Sequence, residues 1–198
     1  MNHKIVGGIQ PSMLEARASE ERLDKIVASC RLKHALQFTL FKEIGIRPVE
    51  LYNLTIRDID LERGIISINT VKHGKSRNIK LKPKTNAMLQ SFIKKHDYTL
   101  TERMFSLPKT LSKAFQRVRK RVANRFQDPE IRKIRLYDLR HYYGSMLYHK
   151  TKDLLYVRAQ MGHKSISSTM KYMHLLELGI DEWVCKAARI VEEALNLV

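Results

Sequence analysis

Three short segments near the C-terminal end of this chain carry side chains that could do chemistry together. They are Leu136-Tyr137-Asp138-Leu139-Arg140-His141, Met161-Gly162-His163-Lys164-Ser165 and Met170-Lys171-Tyr172-Met173-His174. They supply a guanidinium, an imidazole and, nine residues after that imidazole, a phenol. Cutting a phosphodiester without a metal needs such a set. The phosphorane transition state spreads charge over non-bridging oxygens, which one or preferably two arginines should hold. A nucleophile must attack in line, and a donor must protonate the departing 5′-oxygen. On a basic polypeptide, the combination suggests a tyrosine that attacks a DNA phosphate.

Other residues could complete that set. Arg47, in Gly45-Ile46-Arg47-Pro48, stands at the junction into a helix whose N-terminus favours anions. Glu50 can orient a guanidinium from one turn away, or serve only as a first-turn helix acid. Lys72, with Lys75 beside it, sits where a flexible lysine can enter a phosphate site; a solvated turn lysine is the alternative. A positive neighbourhood would lower such a lysine's pKa toward proton donation. His163 follows a glycine that lets a helix end in a tight turn, so it could equally be a capping or core histidine. Tyr172 could be a core tyrosine, as Tyr142, Tyr143, Tyr148 and Tyr156 are expected to be. Its polar neighbours Lys171, Ser167, Ser168 and His174 set it apart. The eight histidines form no HExxH or His/Cys cluster, and no P-loop or GxGxxG occurs. Neither a metal nor a cofactor is expected.

Charge points the same way. The net charge is +17 over 198 residues, and it is concentrated. Residues 63–176 hold 26 Lys or Arg against 6 Asp or Glu, while the rest holds 11 against 14. Solubility charge normally mixes signs along a chain, so this distribution predicts a polyanion-binding surface. With 43% apolar and 29% charged residues, the chain reads as one soluble globular domain. No apolar run reaches the roughly 18 residues of a membrane span, and no signal peptide is evident, so a cytoplasmic location is expected. Cys30 and Cys185 form no CxxC pair and read as reduced, half-buried thiols.

Which elements would position these side chains? Residues 1–18 contain Gly7-Gly8 and Pro11 and read as a lead-in or linker. Ser19-Glu20-Glu21 starts a first helix, 20–29. A second, 31–44, carries Leu32, Ala35, Leu36, Thr39 and Leu40 on one face and ends at Gly45. Pro48 suits the first turn of a short helix. The β-branched run Ile65–Thr70 and the alternating run Arg77–Leu81, with a turn between them, predict a β-hairpin. Further helices are expected at 83–96, 110–126, 136–150, 152–161, 165–173 and 180–197, with a third strand near Met104-Phe105. In 110–126, Leu111, Phe115, Val118, Val122 and Phe126 form an apolar stripe. Lys113, Arg117, Arg121 and Arg125 form a basic one that repels itself unless an anion lies over it. The expected fold is mainly α with one small antiparallel β-sheet (α+β).

These segments, in this order, resemble the catalytic domain of the tyrosine recombinases, the phage-integrase and Xer-like site-specific recombinases. The resemblance covers roughly residues 19–198. Ile46-Arg47-Pro48-Val49-Glu50-Leu51 is similar to the family's first arginine box, and Val71-Lys72-His73-Gly74-Lys75-Ser76-Arg77 to its β-hairpin. Leu139-Arg140-His141 resembles the second arginine box and Met161-Gly162-His163 the Leu-Gly-His box, which leaves Tyr172 at the nucleophile position. The resemblance implies a 3′-phosphotyrosyl intermediate at Tyr172 and phosphorane stabilisation by Arg47 and Arg140. Lys72 becomes the general acid, and His163 contacts the phosphate or assists the phenol's proton. It further implies no cofactor, a specific double-stranded DNA site, contacts from Lys75, Arg77, Lys113, Arg117, Arg121 and Arg125, and a synaptic tetramer on DNA. The tail 172–193 resembles archaeal viral or plasmid integrases.

Two departures stand out. Where the second box usually has a histidine, three residues before its arginine, this chain has Tyr137. A phenol can hydrogen-bond a phosphate oxygen, but it is no cationic donor at neutral pH. The family's separate N-terminal DNA-clamping domain has no counterpart here, so a fragment is expected. Two other readings remain open at this stage. Residues 152–173 could be a helix-turn-helix in a non-catalytic regulator, although Ala159 and Gly162 are three apart rather than four. A type IB topoisomerase would share the chemistry.

Overall fold

The computed structural model describes residues 18–70, 75–96 and 98–174. The lead-in 1–17, Lys72, Cys185 and the helix expected at 180–197 lie outside the described residues.

Helix α1 (Glu20–Ala28) carries Glu20 and Glu21 in its first turn, where acids complement the helix dipole. Helix α2 (Leu32–Ile44) buries Leu36, Gln37, Phe38, Leu40, Phe41 and Ile44. This is more than one face, because α2 packs at once against α1 and against two later helices, Pro83–Lys94 and Leu136–Thr151. Gly45 ends it in the left-handed conformation, φ 59°. Helix α3 (Pro48–Asn53) follows, with Pro48 in the first turn where no N–H is missed. A 3-10 turn, Ile56–Asp58, leads into the sheet.

The sheet has three antiparallel strands in the order β1 (Ile59–Asp60), β2 (Ile65–Ile68), β3 (Arg77–Lys80). The expected pairing of β2 with β3 is present, with Ile66 opposite Ile79 and Ile68 opposite Arg77. The third strand is not at Met104-Phe105. Those two side chains are buried in a non-strand segment, and the sheet instead gains the two-residue β1. Apolarity at 104–105 reflects burial rather than ladder pairing.

Helix α4 (Pro83–Lys94) and helix α5 (Pro108–Arg125) complete the first core. In α5, Leu111, Phe115, Val118 and Val122 face inward as the stripe predicts, and Phe115 meets Phe38 edge to face at 5.1 Å. Phe126 departs from the stripe. It caps the helix ahead of Gln127 (φ 51°) and is 41% exposed, lying beneath Lys25 and Arg125. A 3-10 turn, Pro129–Lys133, connects to α6 (Leu136–Thr151). Helices α7 (Leu154–Met161) and α8 (Ser167–His174) close the described residues, and both pack on α6. None of the described helices is long and apolar enough to cross a membrane.

Helix α6 is therefore the element on which the site depends. It contacts α2 on one side and α7 and α8 on another. One misfit sits in the neighbouring core: Gln37 is 1% exposed, and neither its Oε1 nor its Nε2 has a hydrogen-bond partner. Leaving a buried amide unpaired costs on the order of 1–3 kcal/mol. The Gln37→Met substitution, close in volume and free of that demand, should stabilise the fold by roughly 1–2 kcal/mol in urea denaturation.

Candidate active site

Two helix entrances in this chain are built alike. At α3 the Arg47 backbone N–H donates to Glu50 Oε2 at 2.8 Å, and Arg47 Nη1 donates to Glu50 Oε1 at 2.6 Å. At α6 the Arg135 N–H donates to Asp138 Oδ2 at 2.8 Å, while its Nε and Nη2 reach Asp138 Oδ1. Each carboxylate satisfies an orphan N–H of the first turn and fixes an arginine at the helix mouth. Glu50 thus holds the Arg47 guanidinium, and it holds a second one as well.

That second guanidinium is Arg77. Its Nη1 and Nη2 donate to Glu50 Oε1 and Oε2 at 3.2 and 3.0 Å. Arg77 was expected on the DNA-facing surface, but it is only 9% exposed. The reason is strand register. Arg77 and Ile79 alternate inward on β3 while Asn78 and Lys80 alternate outward. Inward Ile79 and Leu81 already required Arg77 to point in, so the signal was present in the sequence. Lys75, by contrast, is exposed.

Burial alone would raise the pKa of Glu50. The Arg77 guanidinium, bonded to it, and the Arg47 backbone N–H and side chain overcome that effect and hold the carboxyl down at about 2. Thr70 Oγ1 also donates to Lys75 O at 3.3 Å and lies 3.5 Å from Glu50 Oε1. Glu50 thus joins the arginine of the first helix entrance to Thr70 after β2 and to Arg77 at the start of β3.

The C-terminus of α7 draws the distant segments together. Gly162 adopts φ 60°, and the turn closes with Gly162 N–H on Ala159 O and His163 N–H on Arg158 O, the paired bonds of a Schellman motif. The carbonyls left over at such a helix end favour cations. Here the Met161 carbonyl accepts from Arg140 Nη2 at 2.7 Å, and the Gly162 carbonyl from Arg47 Nη2 at 3.0 Å. Arg140 Nη1 also donates to Gly45 O. A Cβ at Gly162 would lie 2.5 Å from Arg77 Nη1 and 3.0 Å from Lys75 O, so only glycine allows the hairpin to approach. The sequence-predicted pair Arg47 and Arg140 converges on consecutive carbonyls. Burial, and then the nearby Arg47 charge, lower Arg140 to about 10, so it remains a cation at neutral pH.

His163 lies in the same cluster, 7% exposed. Arg140 Nη2 is 3.1 Å from its Nε2, and a guanidinium can only donate, so Nε2 accepts. The ring proton then belongs on Nδ1, which donates to Thr169 Oγ1 at 2.8 Å. Thr169 lies one turn before Tyr172 on α8 and shares its face.

Tyr172 stacks almost parallel on His163, with ring centroids 6.3 Å apart and 8° between planes. Its hydroxyl is 3.4 Å from His141 Nδ1. Polar sequence neighbours suggested an accessible phenol, but Tyr172 is 1% exposed and packs with Tyr148, Val157 and Met161. Among the tyrosines read as core, Tyr156 is instead 45% exposed. The Tyr172 ring lies flat on α6 at Gly144, where a Cβ would approach three ring carbons to 2.5–2.8 Å. Burial pushes the phenol pKa up to about 12, with Arg140 and Arg47 pulling the other way.

Tyr137, in the place of the usual histidine, is 49% exposed and shares a cleft with Ser112, Gln116, Arg119, Arg135 and His141. Lys113, Arg117, Arg121 and Arg125 are exposed on α5, with Arg121 Nη2 donating to Ser29 O at 2.8 Å. Sequence reasoning missed His141, Gly144 and Thr169. Their importance comes from how α8 docks on α6, which no local pattern encodes. Among the described residues, no three His, Cys, Asp or Glu side chains form a metal-binding group.

The order of the arginine pair, the glycine–histidine turn and the buried phenol has a counterpart among known proteins. Residues 16–178 match the Phage integrase family. The chain belongs to that family. It is 27% identical over 165 residues to the Tyrosine recombinase XerA of Saccharolobus solfataricus, covering 82% of this chain and 53% of that protein. The chain thus spans about half the length of that relative. Its fold is shared with a crystal structure of XerA recombinase, with a TM-score of 0.67 at 19% identity over 88% of this chain and 64% of that one. It is also shared with the Tn1549 transposon integrase in complex with a circular intermediate DNA, with a TM-score of 0.70 at 16% identity over 93% and 67%. This mainly helical architecture with one small antiparallel sheet is that of phage-integrase family catalytic domains.

Two outcomes follow from the geometry. Replacing Glu50 by Ala strands Arg77 in the interior and should lower the unfolding free energy by roughly 3–5 kcal/mol near neutral pH. Glu50 titrates near 2 when folded against 4.5 when free, so its contribution is complete above pH 4.5 and fades as pH falls toward 2. Denaturant melts of both proteins across that window should therefore converge at the acid end. Gly144→Ala should force the Tyr172 ring off α6, destabilise the fold by about 1–3 kcal/mol and bring the phenol pKa down from about 12 toward 10. Ring-labelled tyrosine NMR titration, assigned with Tyr172→Phe, reads that shift.

Proposed function

We propose that this chain cuts and rejoins double-stranded DNA at a specific site through a 3′-phosphotyrosyl intermediate. The observation that carries the reading is the meeting of Arg47, Arg140, His163 and Tyr172 around the Gly162 turn. In the reaction, the Tyr172 oxygen forms a bond to phosphorus while the phosphorus–O5′ bond breaks. The phenol loses a proton and the departing 5′-oxygen gains one. Arg47 and Arg140 neutralise the phosphorane, and Lys72 acts as general acid. His163 orients Arg140 through Nε2 and meets the phosphate once that bond is exchanged. A 5′-hydroxyl from a partner strand then reverses the step, and the energy of the broken bond is conserved without a cofactor.

The basic side chains Lys75, Lys113, Arg117, Arg121 and Arg125 contact the phosphate backbone, which sets affinity rather than sequence choice. Arg77 acts through Glu50 rather than on DNA, and Tyr137 offers a neutral hydroxyl at the edge of the site. Four copies assemble on two DNA sites for strand exchange. Because Tyr172 is stored against α6, cleavage requires α8 to release the phenol into line. The regulator reading fits less well, since α8 turns Thr169, Met170 and Tyr172 inward, whereas a recognition helix presents its side chains to a groove.

The test uses nicked suicide duplexes drawn from the genome that encodes the chain, with covalent protein–DNA bands scored on denaturing gels. The wild-type chain should give a band on the duplex carrying its site. Tyr172→Phe should bind that duplex with unchanged affinity and give none. A band that survives the substitution, or no band on any duplex, overturns the reading.

A further inference from the structure

His141 has no part in the mechanism above, yet it is the imidazole at the nucleophile's hydroxyl. Tyr172 Oη lies 3.4 Å from His141 Nδ1, and the two rings are tilted 54° with centroids 5.9 Å apart. His163 is placed differently. Its ring lies parallel to that of Tyr172, with centroids 6.3 Å apart. Both His163 nitrogens have partners, Nε2 accepting from Arg140 and Nδ1 donating to Thr169. A histidine so engaged holds Arg140 in place and is poorly disposed to accept a proton from the phenol.

The surroundings of His141 reinforce this. It follows Arg140 on α6, one turn after Tyr137, and half-buried it lines a cleft with Ser112, Gln116, Arg119, Arg135 and Tyr137. Among the described residues, Arg119 from α5, Arg135 from the segment entering α6 and Tyr137 line the same cleft, Arg140 precedes His141 on α6, and Tyr172 approaches it from α8. Helix α6 is also the element against which the phenol is stored, so the acceptor stands on the rigid side of a contact whose other side must move.

We propose that His141 is a catalytic residue that takes the proton of Tyr172 as α8 frees the phenol for attack, supplying from position 141 an imidazole that the second arginine box lacks at position 137. The proton passes from Tyr172 Oη to His141 Nδ1, the oxygen bonds to phosphorus, and the 5′-oxygen leaves with a proton from the general acid. In the rejoining step the imidazolium returns its proton to the phenol. The inference rests on the reading of Tyr172 as the nucleophile.

The experiment is single-turnover cleavage of the suicide duplex selected above, followed from pH 5 to pH 9. Asn at position 141 places an amide near Nδ1 that can accept a hydrogen bond but cannot hold a proton. His141→Asn should bind the duplex as the wild type does and cleave about 100-fold more slowly at neutral pH, within the range typical of a lost proton acceptor. Its rate should also lose the rise with pH between 5 and 8 that a titrating histidine imposes. His141→Ala, checked for folding by circular dichroism, should recover part of the rate on adding free imidazole. Cleavage by His141→Asn at the wild-type rate overturns the inference. So does a slowed rate with the wild-type pH profile and no imidazole rescue, which would mark a structural role. Tyr172→Phe separates the two readings, because an adduct in that variant sinks the nucleophile assignment itself.

Discussion

Everything in the site is referred to two adjacent carbonyl groups. At the end of α7 the backbone turns left-handed at Gly162, and the carbonyls of Met161 and Gly162 remain without helical partners. A helix end of this kind carries partial negative charge. Arg140 and Arg47 each satisfy one carbonyl, and in doing so two cations come close together in a half-buried pocket. Their mutual repulsion is offset by the helix end and by Glu50. The positive pocket is thus assembled by the protein's own groups.

Glu50 has the complementary task. A buried carboxylate is costly to ionise, and this one stays ionised because guanidinium groups approach it from two directions. One comes from its own helix entrance and the other from the sheet. Strand β3 is thereby tied to the same turn that gathers the two arginines, and the glycine at that turn admits the contact. The reactive phenol is handled by apolar means instead. It is stored on a glycine of α6 and kept protonated by burial, away from the solvent in which it would titrate more easily.

Much of this was legible before any coordinates. Gly45 and Pro48 mark the junction between α2 and α3, Gly162 marks the end of α7, and the β-branched and alternating runs mark the hairpin, because each of these signals acts locally. The inward stripe of α5 was equally plain up to Phe126, where the helix ends and the period no longer applies. Strand β1 was not legible. Two residues make no pattern, and they pair only because β2 is already there. Arg77 was readable by its period-two neighbours but was assigned by its charge, and charge is a weak guide where a carboxylate waits inside. Tyr172 was singled out by its spacing from His163, and its burial was missed because the apolar partners Tyr148, Val157 and Met161 lie on other helices. The place of His141 beside Tyr172 was missed for the same reason, since that contact spans two helices and exists only once α8 has docked.

The inward position of Arg77 sets different tolerances for neighbouring parts of one hairpin. Residues added to the connection between the strands fall outside the ladder and leave Arg77 opposite Ile68. A slip of a single residue within β3 would rotate that arginine to the outside and deprive a buried carboxylate of half its counter-charge. The strand is therefore pinned to one alignment by an ion pair that no change in the connection before it can replace.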